Sequence, residues 1–181
     1  MKILVTAKRV TDPYTTLTLK KDGGGPDLAD VDYKMNPFCE IAVEEALKII
    51  EDFGEGEIIV AGIGEDEATK EIRTGLAMGA HRGILVECEE EELDSDLVAQ
   101  ILKAIVDKEE PDLVILGKQA TDGDSNQVGQ LLAEYLGWPQ ATFAYKIEIN
   151  DDDDGAEVMR EVDGGVETES LSFPAVITTD L

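Results

Sequence analysis

Apolar residues recur along most of the chain in two alternating patterns, as short continuous runs and as runs spaced by three or four positions. The continuous runs predict strands that are buried on both faces, as in a parallel sheet. The spaced runs predict amphipathic helices that cover such a sheet. Strands are predicted at residues 3–6, 58–61, 83–87 and 113–116, and helices at residues 37–52, 69–78, 95–108 and 126–136.

The pattern changes after Trp138 and Pro139. Short alternating segments separated by turns rich in Asp and Gly predict a run of antiparallel strands. The fold class that follows is α/β, a parallel sheet with helices on both faces and a C-terminal antiparallel strand extension. Residues 1–142 are expected to form the core and residues 143–181 the extension of the same domain. The four segments of the predicted antiparallel run are residues 145–149, 158–162, 166–172 and 175–179.

The charge of the chain is unusual for a globular protein. Asp and Glu together number 41, Lys and Arg together number 15, and the formal net charge is −26. Such a surface repels the phosphates of nucleic acids and anionic lipid headgroups, so we expect neither as a partner. Because the acidic residues are spread along the chain, they favour a solvated acidic coat, as in salt-adapted proteins, over a docking patch for a basic partner.

Two cysteines, Cys39 and Cys88, argue against a disulfide framework or a zinc site, and no metal is expected. The chain runs from Met1 directly into an apolar strand, without the pattern of a signal or transit peptide. No apolar stretch approaches the roughly 20 residues that span a bilayer. These features predict a protein of the reducing cytoplasm.

The most informative polar stretch, residues 117–130, connects a predicted strand to a predicted helix. Open α/β sheets bind ligands at this end of a parallel strand, and a helix N-terminus offers unpaired N–H groups to one phosphate. The alternative is that Asp124 or Ser125 only caps the helix. Because the Walker A spacing and the GxGxxG pattern are both absent, we expect neither a triphosphate hydrolase nor a standard dinucleotide site.

A second candidate is the helix start at Asn36 and Pro37, which have the N-cap and N1 pattern. If this helix starts at the same sheet edge, Asn36 and the amides of Phe38 and Cys39 would face a base or ribose. The alternative is an ordinary cap with a buried Phe and Cys. Candidates for catalysis are few, since the single histidine, His81, follows a helix end where it would complement the dipole.

Six segments taken together resemble the beta subunit of electron-transfer flavoproteins. Its most specific motifs are Asn-Pro-Phe-Cys at residues 36–39 and Gly-Lys-Gln-Ala at residues 117–120, and the resemblance covers essentially all 181 residues. The six matching segments are residues 5–10, 35–46, 72–80, 116–130, 138–142 and 163–168.

The resemblance implies a nucleotide-binding fold of the adenine nucleotide alpha hydrolase-like kind that holds a structural AMP. It implies a heterodimer with an alpha subunit that carries most of the FAD site. That heterodimer would take electrons from acyl-CoA dehydrogenases and related enzymes of fatty acid beta-oxidation and pass them to a quinone oxidoreductase. The subunit would be an electron carrier without catalytic residues of its own.

The AMP site carried over by the resemblance combines four chain segments, with the phosphate on the amides of Asn126, Gln127 and Val128. The implied cofactor-binding residues are Thr6, Ala7, Asn36, Pro37, Phe38, Cys39, Ile63, Gly117, Lys118, Gln119, Ala120, Thr121, Asp122, Gly123, Asp124, Ser125, Asn126, Gln127 and Val128.

The chain departs from the family pattern at two places. Val128 stands where some relatives carry a hydroxyl residue, and the end at Leu181 comes before the family's docking loop and C-terminal arm, which predicts a truncated version or a fragment. Three alternatives remain. One is a bifurcating subunit with FAD in this site and NADH as donor, the second is a stand-alone adenine-nucleotide-binding module, and the third is a scaffold with an empty site.

Overall fold

The computed structural model describes residues 1–29 and 31–180, and its largest feature is an eight-stranded sheet with helices on both faces. The strands are β1 (Lys2–Thr6), β2 (Arg9–Thr11), β3 (Thr18–Leu19), β4 (Pro26–Asp27), β5 (Tyr33–Met35), β6 (Glu57–Gly64), β7 (Arg82–Glu87), β8 (Leu113–Gly117), β9 (Gln140–Ile149), β10 (Gly155–Val162), β11 (Gly165–Ser172) and β12 (Ala175–Thr179). The helices are α1 (Pro37–Phe53), α2 (Thr69–Met78), α3 (Ser95–Glu109) and α4 (Val128–Leu136), and single 3₁₀ turns lie at Asp66–Ala68 and Glu90–Glu92.

The order of strands in the main sheet is β11-β10-β9-β12-β8-β1-β6-β7. Strands β12, β8, β1, β6 and β7 run parallel, whereas β9, β10 and β11 form an antiparallel meander at one edge. The short strands β2 and β5 pair with each other outside the main sheet, as do β3 and β4. The predicted α/β class with helices on both faces and an antiparallel extension is confirmed.

Alternate side chains of the central strands enter two separate apolar layers. Ile3 and Val5 of β1 pack with the apolar side of α1, whereas Leu4 between them packs with α3 and α4. All three side chains are fully buried. A continuous apolar run is therefore required at β1, because both faces of the strand are covered.

Local signals set the helix ends. Asn36 is the N-cap of α1, Pro37 occupies the first turn, and Gly54 ends the helix in the left-handed conformation with φ of 90°. At α3, the Asp94 carboxylate accepts a hydrogen bond from the Leu97 amide at 2.8 Å. The predicted boundaries of α1, α2 and α3 agree with the observed ones to within one residue.

The prediction that residues 175–179 form an antiparallel strand is wrong. β12 runs parallel to both neighbours, with Ala175 opposite Leu113 of β8 and Val176 opposite Gln140 of β9. All five of its residues are buried, as expected for a strand inside a sheet that is covered on both faces. β9 spans the expected boundary between residues 142 and 143, and this division stays a prediction. Leu181, where the early ending was expected, lies outside the described residues.

Glu71 of α2 is a buried carboxyl group with little compensation. It is 1% exposed, and neither carboxylate oxygen has a hydrogen-bond partner among the described residues. Burial raises the pKa of Glu71, and nearby Glu90 adds to this, whereas the Glu71 backbone amide and the positive charges of Arg9 and Lys70 oppose it. The ionised form is therefore disfavoured in the folded protein.

We expect Glu71→Gln to stabilise the protein at neutral pH. The unfolded chain loses this proton near the ordinary glutamate pKa of about 4.3. As pH rises above that value, the folded wild type retains the proton at a cost or ionises in a buried site, so its free energy of unfolding falls. Thermal melting between pH 4 and pH 8 should show that the advantage of the variant over the wild type grows with rising pH. The two proteins should have similar stability at about pH 4.

Glu134→Gln provides the control, since Glu134 is an exposed glutamate of another helix, α4. This variant should show no comparable gain with pH. The interpretation of Glu71 is wrong if Glu71→Gln is no more stable than the wild type at pH 7, or if its advantage grows towards acid.

Candidate functional site

A cavity of about 270 Å³ opens at the carboxyl ends of β1, β6 and β8. β1 lies between the other two strands, and the chain passes from β1 to β6 on one side and returns from β7 to β8 on the other. This reversal of direction is the topological switch point, where the connecting loops diverge and leave a crevice. The cavity therefore lies where ligands of open α/β sheets bind.

Most of the residues predicted for the site line this cavity. Of the described residues predicted for the site, Pro37, Phe38 and Thr121 do not line it. Phe38 is buried, and Thr121 contributes its amide to a hydrogen bond with Asn36. The predicted residues that do line the cavity are Thr6, Ala7, Asn36, Cys39, Ile63, residues 117–120 and residues 122–128.

One wall of the cavity, formed mainly by the start of α3, was not predicted from the sequence. Asp94 and Ser95 were recognised only as a helix start, although a helix that follows a parallel strand begins at the ligand-binding edge of the sheet. That topological argument alone would have placed them near the site. The other missed residues are Lys8, Ala61, Leu93, Val98, Leu102 and Leu116.

The side chain of Asn36 connects the start of α1 to the loop after β8. It is 1% exposed, its Nδ2 donates to the Gln119 carbonyl at 2.8 Å, and its Oδ1 accepts from the Thr121 amide at 3.2 Å. The same Nδ2 lies 3.4 Å from the Cys39 sulfur. Asn36 makes no side-chain cap to its own helix. Its polar atoms are used to hold two segments together, and direct contact with a base or ribose stays a prediction.

Both lysines that line the cavity are paired with carboxylates. Lys8 Nζ lies 2.8 Å from Asp122 Oδ1, and Lys118 Nζ lies 2.6 Å from Asp180 Oδ1. Lys118 also lies over the ring of Phe38, 5.0 Å from its centroid. The charge of an anionic ligand would therefore be met mainly by backbone dipoles.

The N-terminus of α4 contributes such dipoles. Gln127 is the N-cap, no side chain caps the helix, and the preceding Asp124 and Asn126 have φ of 49° and 48°. The alternative in which Asp124 or Ser125 caps this helix is therefore wrong, and α4 begins at Val128, two residues later than predicted. The first amides of a helix have no helical acceptor, so this terminus can bind a phosphate.

The described residues contain no group of three or more His, Cys, Asp or Glu side chains that could hold a metal ion. In the same part of the chain, none of the helices is both long enough and apolar enough to cross a membrane.

Comparison with known proteins identifies relatives that are similar to this chain over all of its 181 residues. The family model for the electron transfer flavoprotein domain matches residues 27–181. The chain is 54% identical over 181 residues to the electron transfer flavoprotein subunit beta of Bradyrhizobium diazoefficiens, with 100% of this chain and 72% of the relative covered. Identity to the mitochondrial beta subunit of Arabidopsis thaliana is 52% with the same coverage. Identity to the human beta subunit is 46%, with 100% and 71% covered.

Gly117 ends β8 where the backbone of α1 comes closest to the sheet. A Cβ atom at this position would lie 2.6 Å from Phe38 Cβ and 2.7 Å from the Phe38 carbonyl carbon. The Thr179 hydroxyl, 3.2 Å from the Phe38 carbonyl oxygen, holds that backbone from the neighbouring strand. The start of α1 therefore cannot shift without losing buried contacts.

We expect Gly117→Ala to destabilise the protein by about 1–3 kcal/mol, because the added methyl group overpacks a fixed backbone. Gly123→Ala is the matched control in the same loop, where the nearest atom to an added Cβ is Ser125 Oγ at 3.8 Å. Urea unfolding of both variants measures the difference. Equal stability of the two variants would contradict the close approach of α1 to β8.

Proposed function

We propose that this chain, which belongs to the electron transfer flavoprotein family as a beta subunit, is the AMP-binding subunit of a heterodimeric electron carrier. An FAD held mainly by the alpha subunit would supply the electron-carrying chemistry. Electrons would arrive from acyl-CoA and related dehydrogenases of fatty acid beta-oxidation and leave to a quinone oxidoreductase. The chain itself would bind, orient and shield, without catalytic residues of its own.

The observation that carries this proposal is the uncapped start of α4 at a cavity on the switch point of the sheet. The amides of Asn126, Gln127 and Val128 would bind the phosphate of AMP. Val128 offers its backbone here, so the absence of a hydroxyl group at this position leaves the amide contact intact. Apolar residues of the lining, such as Val98 and Leu102 of α3, suit the faces of an adenine.

Size and charge favour AMP over FAD in this cavity. Its volume of about 270 Å³ lies below the roughly 300–1,000 Å³ typical of sites for drug-sized ligands. A dinucleotide also carries a second phosphate, and the two lining lysines already neutralise Asp122 and Asp180. One phosphate on one helix terminus requires no further cation.

In this proposal AMP is a part of the folded core. It would contact the loop that Asn36 joins to α1, and it would fill space between the starts of α3 and α4. Water would be excluded from the carboxyl ends of three strands. A ligand that binds only the folded state stabilises it by mass action, so AMP would raise the melting temperature.

The state of the cysteines bears on the compartment in which the protein would act. Both cysteines are free thiols, which agrees with the expected reducing cytoplasm. The Arabidopsis relative is named as mitochondrial. We therefore propose a reducing compartment in which the alpha subunit is also present.

We expect the purified protein to release one equivalent of AMP and no flavin when it is denatured. Chromatography and mass spectrometry of the released material measure both, and AMP added back after removal should raise the melting temperature. Release of FAD would favour the bifurcating alternative. An empty site that stays empty after co-expression with the alpha subunit would contradict AMP binding.

A further inference from the structure

Gln130 lies in the first turn of α4, behind the loop that faces the cavity. Its Nε2 donates to Asn126 Oδ1 at 3.0 Å. Asn126 lines the cavity, whereas Gln130 is not among the described residues that do so. Any effect of Gln130 on a ligand would therefore be indirect, and Asn126 is the cavity residue that its side chain contacts.

Asn126 has a backbone conformation that needs support. Its φ of 48° lies in the left-handed region, which residues other than glycine rarely adopt, although asparagine tolerates it better than most. Rotation of this residue to the right-handed region would reorient the peptide that follows, and with it the amide of Gln127. The hydrogen bond from Gln130 fixes the Asn126 side chain, and so restrains this rotation.

The environment of Gln130 also argues against a role in stability alone. Its Oε1 is buried without a hydrogen-bond partner among the described residues, which is an unfavourable state for a polar atom. In a capping box, the side-chain oxygen of a glutamine at this third helical position accepts a hydrogen bond from the N-cap amide. Here the donor goes to Asn126, one residue before the N-cap Gln127, and the helix has no side-chain cap.

We propose that Gln130 is a positioning residue for the phosphate. It holds Asn126 in the left-handed conformation, and this directs the amides of Asn126, Gln127 and Val128 into the cavity. Gln130 itself does not touch the ligand. This inference deepens the proposed function and rests on AMP binding at the start of α4.

The test compares AMP with adenosine, which lacks the phosphate. Gln130→Met keeps the length of the side chain and removes the donor. Since only the phosphate contacts depend on Asn126, affinity for AMP should fall roughly tenfold and affinity for adenosine should stay unchanged. Isothermal titration calorimetry on protein freed of bound nucleotide measures both. A structural role would weaken both ligands alike, and that result would overturn the proposal.

Gln100→Met is the matched control. Gln100 donates to Asp96 at 2.8 Å, four residues earlier, in the first turns of α3, which also reaches the cavity. It has the same residue type and the same spacing as Gln130 and Asn126. The ratio of AMP to adenosine affinity should be unchanged in this variant.

A double mutant tests whether Gln130 acts through Asn126. Asn126→Gly adopts positive φ without support from a side chain. Gln130→Met should therefore cause no further loss of AMP affinity when added to Asn126→Gly. An additional tenfold loss in the double mutant would show that Gln130 acts by another route and would overturn the proposal.

Phosphate binding and the role of Gln130 are contradicted by different results. If the wild-type protein binds neither AMP nor adenosine, or binds AMP no better than adenosine, phosphate binding is contradicted, and with it the proposed function. A wild type that prefers AMP, with the same preference in Gln130→Met, contradicts only the role of Gln130. If Gln130→Met does not fold, Asn126→Ala and Asn126→Gly replace it. Equal AMP affinity of those two variants would overturn the need for a held left-handed residue.

Discussion

The buried side chain of Asn36 is the interaction on which the geometry of the cavity depends. The hydrogen bonds of its side-chain amide to the backbone of Gln119 and Thr121 join segments that are more than 80 residues apart in sequence. Since both partners are backbone groups of one loop, that loop takes its path from the start of α1. Leaving buried partners unsatisfied costs about 1–3 kcal/mol for each group, so alternative loop paths are disfavoured. The close approach of Gly117 to Phe38 fixes the same junction from the side of the sheet.

If a phosphate binds at the start of α4 as proposed, this rigid junction helps to explain how a chain with a net charge of −26 could hold an anion. The two lysines at the cavity are held by Asp122 and Asp180, so neither adds an unpaired positive charge. The backbone of a helix start supplies partial positive charge that needs no counterion. Such a site would depend on the orientation of amide groups, which Asn36 restrains through its hydrogen bonds and which Gln130 would maintain in the proposed role. A site built on lysines would be weakened much more by the surrounding acidic residues and by salt.

Local patterns were sufficient to predict β1, β6, β7, β8 and the four helices, but they did not predict that the start of α3 forms a wall of the cavity. The apolar run at β1 and the spacing in α1 are short-range signals, and the predicted order of these elements agrees with the fold, whereas the short strands β2, β4 and β5 were not predicted. The resemblance supplied the residues around Asn36 and Gly117, which the structure brings to one cavity. The direction of β12 relative to its neighbours was not predictable in this way, because a buried strand of five residues has the same apolar pattern whether its neighbours are parallel or antiparallel. Strand order is a property of long-range pairing.

The same limit applies to the finer geometry of the site. The residue types Asp124 and Asn126 permit positive φ without requiring it, so a helix that starts at residue 126 was an equally consistent prediction. The later start at Val128 is set by the loop, which Asn36 holds from outside the segment. Partners 83 and 85 positions away in the chain leave no periodic trace in the sequence.

Features that cost free energy gather on one side of the cavity. The left-handed residues Asp124 and Asn126 and the unpartnered Oε1 of Gln130 all lie in the connection from β8 into α4. Where α1 packs on β1 and β8, by contrast, the contacts are between buried apolar side chains. A fold retains such costs where the rest of the structure enforces them or where a ligand offsets them. If AMP binds as proposed, the phosphate contacts would offset the strain in the loop, and the nucleotide would complete the fold at a place where the chain alone carries unfavourable backbone and polar groups.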